Sequence, residues 1–248
     1  MLPQQDLIFM DPARRDHHGG RVFQLQDCQP DVLSLCEKLL RKARVILLKL
    51  SPMLDWHAAV HQLDCVREVH IVATGNECKE LLLVCSPEQI GDGNVCCVNN
   101  GLRFCFPMET TPNTGLKTSQ EIHMEDFLYE PNAAVMKGGC FGMLCEKYKV
   151  VALGHDSHLF TSPIMIDDFP GRRFRIKAVS SFNKKELNRN LSNIKQANIA
   201  VRHFPLSANE LRKRLKLRDG GDTYLFATTF QPSSTSRQER ILMITEKA

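Results

Sequence analysis

The stretch Val45-Ile46-Leu47-Leu48-Lys49-Leu50-Ser51-Pro52 decides the fold class of this chain. It is an almost continuous apolar run of strand length, which is typical of a strand covered on both faces, and such strands belong to parallel sheets. Ser51-Pro52 then ends the strand, because proline cannot donate a hydrogen bond to a sheet. The stretch therefore predicts an α/β fold that contains a parallel sheet.

The segments around this strand extend the sheet over residues 1–86. The turn Gly75-Asn76-Glu77 joins two strand-like runs, so we predict that the sheet ends in an antiparallel pair. Asp55 is placed to cap the helix that follows the central strand. The other predicted elements are strands at 6–10, 66–74 and 78–85 and helices at 32–43 and 56–63.

The rest of the chain is predicted to form a hairpin, a linker and an α+β region. Asn100-Gly101 supplies the positive φ angles of a tight hairpin turn, whereas 107–120 is rich in Thr, Pro and Asn and has no periodicity. A helix is predicted from Ala133 to Lys147, with Gly138-Gly139 weakening its middle. Strands and helices alternate beyond it, and Ser207 and Glu210 form a capping box. The predicted divisions are 1–86, 87–120, 121–170 and 171–248.

The basic residues are concentrated in one part of the chain. The net charge is +4, but Gly171–Arg218 contains 14 lysines or arginines and 2 acidic residues, which gives this segment a charge of +12. Such a block is typical of a surface that binds a phosphate backbone. A solvated helix surface is the alternative interpretation.

The cysteines and histidines do not predict a metal site. All ten cysteines lie between Cys28 and Cys145, and none forms the C-x-x-C pattern of a structural zinc site. We interpret them as buried core thiols in a reducing compartment. His57 and His61 lie four residues apart on a predicted helix, and an exposed helix face explains them better than a shared metal.

No segment of the sequence predicts export or membrane insertion. No apolar run approaches the roughly 18 residues that cross a bilayer. Met1 is not followed by the basic, apolar and small-residue regions of a secretory signal. A cytoplasmic location is therefore expected.

Three polar turns are expected to converge at one edge of the predicted sheet. They are Asp11–Arg15, Ser51–Asp55 and Gly75–Glu77, and each follows a predicted strand. Ligands of open parallel sheets bind outside the carboxyl ends of the strands, and these turns offer carboxylate and guanidinium groups suited to a nucleotide or nucleobase. Ordinary loop chemistry is the alternative, because Asp-Pro and Ser-Pro are common strand ends.

Several longer strings resemble a known family. DLIFMDPARR (6–15) resembles the motif after the fourth strand of class I S-adenosylmethionine-dependent methyltransferases. Other strings are similar to a bacterial family of methyltransferases with a carboxyl-terminal THUMP-like domain: KLSPMLD (49–55), GNECKELLL (75–83), YEPNAAVMK (129–137), DFPGRRFRI (168–176) and LKLRDGGDTYLFATT (215–229). The resemblance implies the C-terminal half of a Rossmann-like methyltransferase sheet, followed by an α+β region with a ferredoxin-like segment at 121–170 and a THUMP-like RNA-binding domain at 171–248.

The resemblance also implies roles for individual residues. Asp11, Pro12, Ala13, Arg14 and Ser51 would lie beside the atom to be methylated, where the Asp11 carboxylate could orient an exocyclic amine or take up its proton. Arg14 stands where amino-methyltransferases usually carry an aromatic residue, and Ser51 stands where carbon-5 methyltransferases carry a nucleophilic cysteine. A covalent cysteine mechanism is therefore disfavoured, and the methylated atom stays open.

RNA is the implied partner, as either tRNA or rRNA. Of the basic residues, those of the helix after Ser207 are the preferred phosphate contacts. The implied substrate or RNA contacts are Asn76, Glu77, Arg172, Arg173, Arg175, Lys177, Lys184, Lys185, Arg212, Lys213, Arg214 and Lys216.

The sequence lacks the cofactor motif of the implied family. No glycine-rich turn after a first strand, and no acidic residue ending a second strand, lies upstream of Asp6. We therefore expect a truncated reading frame or a shortened chain, which would not bind S-adenosylmethionine alone and would self-associate through an exposed sheet edge. The alternatives are a non-catalytic RNA-binding module and an inactive fragment.

Overall fold

The structure of this protein is a computed structural model, which describes residues 3–14, 25–111, 113–233 and 235–248. It divides the chain into two compact units. Unit 1 comprises Met1–Thr110 and Asn132–Gly139, and unit 2 comprises Thr111–Pro131 and Cys140–Ala248. No helix in the described residues is long and apolar enough to span a bilayer.

Unit 1 is built on a six-stranded sheet with a separate two-stranded ribbon. Its strands are β1 (Gln5–Met10), β2 (Ala13–Arg14), β3 (Cys28–Gln29), β4 (Ala43–Leu50), β5 (Val66–Thr74), β6 (Glu77–Cys85), β7 (Asn94–Asn99) and β8 (Leu102–Pro107). Its helices are α1 (Val32–Leu40), α2 (Trp56–Gln62) and α3 (Ala133–Gly138). Asp55 caps α2 as predicted, because its Oδ1 accepts a hydrogen bond from the backbone N–H of His57 at 2.9 Å.

The strand order β1-β4-β6-β5-β7-β8 places the parallel strands with their carboxyl ends at one edge of the sheet. β1 and β4 are parallel, and β6 runs antiparallel between β4 and β5. β1, β4 and β5 therefore have the same direction, as half of a doubly wound sheet would. Ile46, Leu48, Val69 and Leu83 are fully buried in its core. The predicted α/β class is confirmed, and β5 and β6 form the predicted antiparallel pair. This pair does not end the sheet, because β7 and β8 continue it beyond β5.

The hairpin is an extension of the same sheet. β7 pairs in parallel with β5, and β8 pairs antiparallel with β7 through a turn in which Asn100 and Gly101 have positive φ angles of 49° and 86°. Cys96 and Cys105 lie directly opposite each other in this hairpin and form a disulfide. The interpretation of all ten cysteines as free thiols is therefore wrong for this pair, because the strand register brings the two side chains together.

Unit 2 contains one seven-stranded sheet. Its helices are α4 (Phe141–Tyr148), α5 (Lys184–Leu191) and α6 (Ala208–Leu215). Its strands are β9 (Phe127–Pro131), β10 (Val151–Ala152), β11 (Phe160–Ser162), β12 (Gly171–Ser181), β13 (Asn198–Arg202), β14 (Thr223–Phe230) and β15 (Glu239–Lys247), in the order β10-β11-β9-β12-β15-β14-β13. The predicted segments 121–170 and 171–248 thus contribute to one sheet.

Two apolar clusters cover the faces of this sheet. Leu128, Phe174, Phe226 and Met243 belong to one cluster. α5 and α6 pack on the other face, where Leu187 and Leu211 meet residues such as Leu225 and Leu242. The capping box of Ser207 and Glu210 is present at the start of α6, as predicted. The cationic helices of the sequence therefore form one layer on the sheet.

The single helix predicted from Ala133 to Lys147 is two helices. Gly139 separates α3 from α4 and adopts a left-handed conformation with φ 74°, which ends α3. Glycine allows this conformation without the steric cost that a Cβ atom would add. The prediction treated Gly138-Gly139 as a weak point inside one helix, and the structure shows a helix end instead.

Candidate substrate pocket and candidate nucleic-acid interface

The carboxyl ends of β1 and β4 form a small pocket in unit 1. Asp11 and Pro12 follow β1, and Ser51 follows β4, so the parallel pairing of these strands brings the two turns together. The cavity has a volume of about 170 Å³. Its walls also include Lys49 from β4 and Glu80 from the adjacent strand β6.

An ion pair lies at the centre of this pocket. Lys49 Nζ donates a hydrogen bond to Asp11 Oδ2 at 2.7 Å and lies 3.8 Å from a Glu80 carboxylate oxygen. The hydrogen bond to Asp11 raises the pKa of Lys49, with smaller contributions from the charges of Asp11 and Glu80. Lys49 therefore stays cationic, and Asp11, which is half exposed, can still accept a hydrogen bond from a ligand.

The loop after β4 is held by hydrogen bonds. Ser51 Oγ accepts one from the backbone N–H of Met53 at 3.2 Å. Lys137 Nζ, from α3, donates one to the carbonyl oxygen of Leu54 at 2.7 Å. Burial lowers the pKa of Lys137. Lys137 is thus a positioning residue for the pocket, since it fixes the loop without lining the cavity.

The other residues predicted for this edge lie elsewhere. Ala13 lines a separate shallow depression beside Cys28. Asn76 accepts a hydrogen bond from the N–H of Ala133 at 2.8 Å through Oδ1, so its side chain holds α3. Glu77 reaches the pocket wall only through its 2.5 Å ion pair with Lys79. Asn76 does not line the pocket, because β6 extends past the end of β4, where Leu50 pairs with Leu81, and Asn76 lies in the turn before that extension.

Some residues of the turn after β1 cannot be placed in the pocket. Arg14 has its backbone in β2, but its side chain lies outside the described residues, as does Arg15. Sequence reasoning gave no role to Lys49, although a lysine that interrupts an apolar strand just before its end was a usable signal. Glu80 and Lys137 carried no such signal, because their positions depend on strand order and helix packing.

In unit 2, the basic residues of β12 are already paired with carboxylates. Arg172 and Arg202 both bind Glu130, whose side chain is only 4% exposed. Nε of Arg172 donates to Oε2 of Glu130 at 2.7 Å, and Nη2 of Arg202 lies 2.5 Å from Oε1. A buried carboxylate with two guanidinium partners is a structural feature of this sheet.

The remaining cations of β12 are paired in the same way. Arg173 lies 3.3 Å from Asp167, Arg175 lies 3.2 Å from Glu125, and Lys177 lies 2.9 Å from a carboxylate oxygen of Glu246. Arg175 and, to a smaller extent, Lys177 lower the pKa of Glu125 through their hydrogen bonds. All of these acidic partners lie outside Gly171–Arg218, so the charge of +12 overstates the cationic character of the surface.

The cations of α5 and α6 are different, because they are free. Arg212 is the exception, since it binds Asp219 and its side chain is only 23% exposed. The others are exposed, and no carboxylate of the described residues lies within 4.0 Å of them. They are Lys184, Lys185, Arg189, Lys213 and Arg214, together with Lys216 directly after α6.

These two helices border a groove with a volume of about 590 Å³. Leu187, Leu191 and Leu215 contribute apolar surface, and Phe182 adds an aromatic ring. The Arg214 guanidinium lies over this ring, 5.6 Å from its centroid. Lys184 and Lys216 also line the groove. Cations beside an apolar and aromatic surface are suited to phosphates together with an unstacked base.

Comparisons with known proteins point to two known kinds of domain. Residues 171–247 match the family described as "THUMP domain-like", and residues 127–170 match the family described as "ferredoxin-like domain". A comparison with curated proteins gives no significant match.

The chain is also similar to a solved structure. The crystal structure of a "putative methyltransferase" from Porphyromonas gingivalis W83 superposes with a TM-score of 0.85 at 33% sequence identity. The match covers 98% of this chain and 60% of that protein. This chain therefore spans less than two thirds of its structural relative.

Proposed function

We propose that this chain is the C-terminal part of a class I S-adenosylmethionine-dependent methyltransferase that acts on RNA, and that it works in the cytoplasm. In this proposal the groove between α5 and α6 holds the RNA. The observation that carries the proposal is the contrast between the two cationic surfaces, because the cations of β12 are neutralised while those of α5 and α6 are free. This free surface belongs to the region that matches a THUMP domain-like family.

The methyltransferase part of the proposal is supported by unit 1. The similarity to the P. gingivalis protein extends over 98% of the chain, and β1, β4 and β5 are parallel as in half of a doubly wound sheet. The pocket of Asp11 lies at the carboxyl edge, where ligands of such sheets bind. The RNA substrate and the methyltransferase activity are part of this proposal, because the match covers only 60% of the P. gingivalis protein.

The described residues do not fit S-adenosylmethionine as a complete site. A cavity of about 170 Å³ is smaller than the roughly 300–1,000 Å³ of ligand pockets. β1 is an edge strand, and within the described residues no glycine-rich turn follows it. We therefore assign no step of methyl transfer to a cofactor bound by this chain.

The residues of the pocket can still position a substrate. The Asp11 carboxylate accepts a hydrogen bond from an N–H donor such as an exocyclic amine, which fixes the donor at the mouth of the pocket. Lys49 holds this carboxylate in place through its hydrogen bond. Lys137 holds the loop of Ser51 through the carbonyl oxygen of Leu54. The chain thus orients the acceptor base and does not attack it.

Two titrations of the intact chain test this proposal. We expect a fluorescently labelled stem-loop RNA to bind, with an affinity that falls steeply as salt rises. Calorimetry with S-adenosylmethionine should show no saturable binding at micromolar concentrations. Failure to bind any structured RNA at low salt contradicts the RNA assignment. Micromolar binding of the cofactor contradicts the conclusion that the described residues do not form a complete site for it.

A non-catalytic RNA-binding module is the second candidate function. It is favoured by one observation, which is that the α5–α6 groove has a volume of about 590 Å³ while the pocket of Asp11, within the described residues, has only about 170 Å³. Under this alternative, changes at Asp11 would leave RNA affinity and the register of the bound RNA unchanged. Chemical footprinting of a bound RNA with the Asp11→Asn variant distinguishes the two, since an orienting carboxylate should protect one base.

A further inference from the structure

Three cysteines from separate parts of the sequence converge in unit 1. Cys36 lies on α1, Cys65 directly precedes β5, and Cys85 is the last residue of β6. Their sulfur atoms all lie within 4.8 Å of one another, and those of Cys36 and Cys65 are 3.5 Å apart. Among the residues that the structure describes, no other group of three Cys, His, Asp or Glu offers comparable ligand geometry.

The backbone holds these three positions in place. Cys85 pairs with Val66 across β5 and β6, and the backbone N–H of Ser86 donates to the carbonyl oxygen of Cys65 at 2.9 Å. Cys36 is presented from the buried side of α1, which packs on β4. The triad is therefore fixed by one helix and two strands, which is the kind of scaffold that keeps a small site at a defined size.

The spacing of the sulfur atoms fits a single metal ion. A soft divalent ion such as Zn²⁺ binds thiolates at about 2.3 Å in a tetrahedron, so two of its sulfur ligands lie about 3.8 Å apart. The Cys36 and Cys65 sulfur atoms are 3.5 Å apart and no separation in the triad exceeds 4.8 Å, so the three atoms lie near the spacing of such a complex. Three sulfur ligands without an oxygen ligand select soft ions over Mg²⁺ or Ca²⁺.

Two of the three cysteines are buried and the third is partly exposed, so the site is accessible to solvent only at the third cysteine. Cys36 and Cys85 are buried, whereas Cys65 is partly exposed and gives a route for an ion and a water ligand. Arg67, beside Cys65, is pinned by hydrogen bonds to the carbonyl oxygens of Asp64 at 2.9 Å and Glu88 at 3.1 Å. Its fixed positive charge offsets the net negative charge that three thiolates leave on a divalent ion.

We propose that Cys36, Cys65 and Cys85 form a binding site for one soft divalent metal ion. Zn²⁺ is the proposed ion, and a water molecule is its fourth ligand. Binding replaces three S–H bonds by three metal–sulfur bonds, and the protons pass to solvent. No oxidant or reductant is needed. The sequence did not predict this site, because the ligands are separated by 29 and 20 residues and form no local motif.

A Cd²⁺ titration of the anaerobically purified, metal-free chain tests this proposal. Cd²⁺ replaces Zn²⁺ because its thiolate complexes absorb in the ultraviolet. We expect one Cd²⁺ per chain, and a rise in melting temperature on saturation. Cys36→Ser and Cys65→Ser should each weaken binding by more than the roughly 10–100-fold that the loss of an outer-shell partner costs, since each removes a ligand.

Cys78→Ser is the matched control, because Cys78 is also a partly exposed free cysteine of unit 1 but lies outside the triad. It should bind Cd²⁺ as the unchanged chain does. Circular dichroism of each variant without metal checks folding, and Cys65→Ser is the decisive variant because Cys65 is the least buried of the three. The proposal is overturned if Cys65→Ser binds as tightly as Cys78→Ser. It is equally overturned if the unchanged chain, with all three thiols shown by mass spectrometry to be reduced, takes up no metal, or if Cys36 and Cys65 form a disulfide under these anaerobic conditions.

Discussion

At the scale of single residues, the pairing of neighbouring charges determines the chemistry of the pocket. The hydrogen bond from Lys49 to Asp11 raises the pKa of Lys49. A smaller fraction of its amine is therefore unprotonated at a given pH. The stabilisation from this pair is present below the ordinary lysine pKa of 10.5 and is lost as the pH rises through the raised value.

The first prediction follows from that pair. Asp11→Asn should lower the pKa of Lys49 toward its ordinary value and speed acylation of Lys49 by an amine-reactive reagent, measured by peptide mass spectrometry at a fixed pH above 8. Glu80→Gln should change the rate less, because Glu80 lies 3.8 Å from Lys49 and acts only through its charge. Equal rates in the unchanged chain and Asp11→Asn would show that the ion pair does not form in solution.

At the scale of elements, the two glycines at the end of α3 are predicted to affect the stability of the fold for different reasons. A Cβ atom at Gly138 would lie 2.6 Å from Cys97 Sγ, whereas one at Gly139 would meet nothing within 4 Å. Gly138→Ala should therefore cost about 1–3 kcal/mol through overpacking. Gly139→Ala should cost about 1–2 kcal/mol because its φ of 74° is strained for alanine.

A double-mutant cycle distinguishes these two causes. Cys97→Ala should recover part of the loss in Gly138→Ala, because it removes the sulfur that the new methyl group meets. The same change should not help Gly139→Ala. Free energies of unfolding from urea titrations give the coupling energies, and a coupling of zero at Gly138 would refute the close-packing explanation.

The elements also show what the sequence could and could not predict. β4 was predictable because an apolar run of strand length has few other interpretations, and the cap at Asp55 was predictable because capping is local. The insertion of β6 between β4 and β5 was not, since strand order depends on contacts between distant segments. The turns of Asp11 and Ser51 could be placed near one edge, because each follows a predicted parallel strand. The role of Asn76 in holding α3 could not be predicted, because it too depends on a contact between distant segments.

At the scale of the whole molecule, one edge of unit 1 has an apolar surface. β1 is the edge strand, and Leu7 and Phe9 are 53% and 57% exposed on it. Unpaired backbone groups next to apolar side chains favour association with a second strand. Self-association through this edge, which we expect from the sequence, can therefore be tested by changing Leu7 and Phe9.

The corresponding prediction concerns the state of the chain in solution. Leu7→Lys with Phe9→Lys should reduce the apparent mass at micromolar concentrations, measured by light scattering, because it places charge on the free edge. Met124→Lys with Ile164→Lys is the matched control, since these side chains are also exposed but lie outside the strands. Monomeric behaviour of the unchanged chain, or equal effects of both pairs, would rule out association through β1.

The second large-scale feature is the placement of free cations on one layer of unit 2. The strand cations were as prominent in the sequence as the helix cations, and only the structure shows that Glu125, Asp167 and Glu246 neutralise them. Exposed charges contribute little to stability, so the helix cations can be changed without unfolding the chain. The proposed RNA-binding surface is therefore open to a direct test.

The salt dependence of RNA binding provides that test. The groove variant combines Lys184→Gln, Arg214→Gln and Lys216→Gln, and the strand control combines Arg173→Gln, Arg175→Gln and Lys177→Gln. Each removes three positive charges from the same unit. Affinities for one labelled stem-loop RNA with a single-stranded overhang are measured by fluorescence anisotropy across a salt series.

We predict that the slope of log K against log salt becomes shallower in the groove variant. The slope should change by about 0.7 for each phosphate that the variant no longer binds and by up to about 2 for three phosphates, while the slope of the strand control should change by less than about 0.7. Thermal melting of the groove variant should stay close to that of the unchanged chain. A groove variant with unchanged affinity and slope, or a strand control whose slope falls as far, would contradict the assignment of the RNA to α5 and α6.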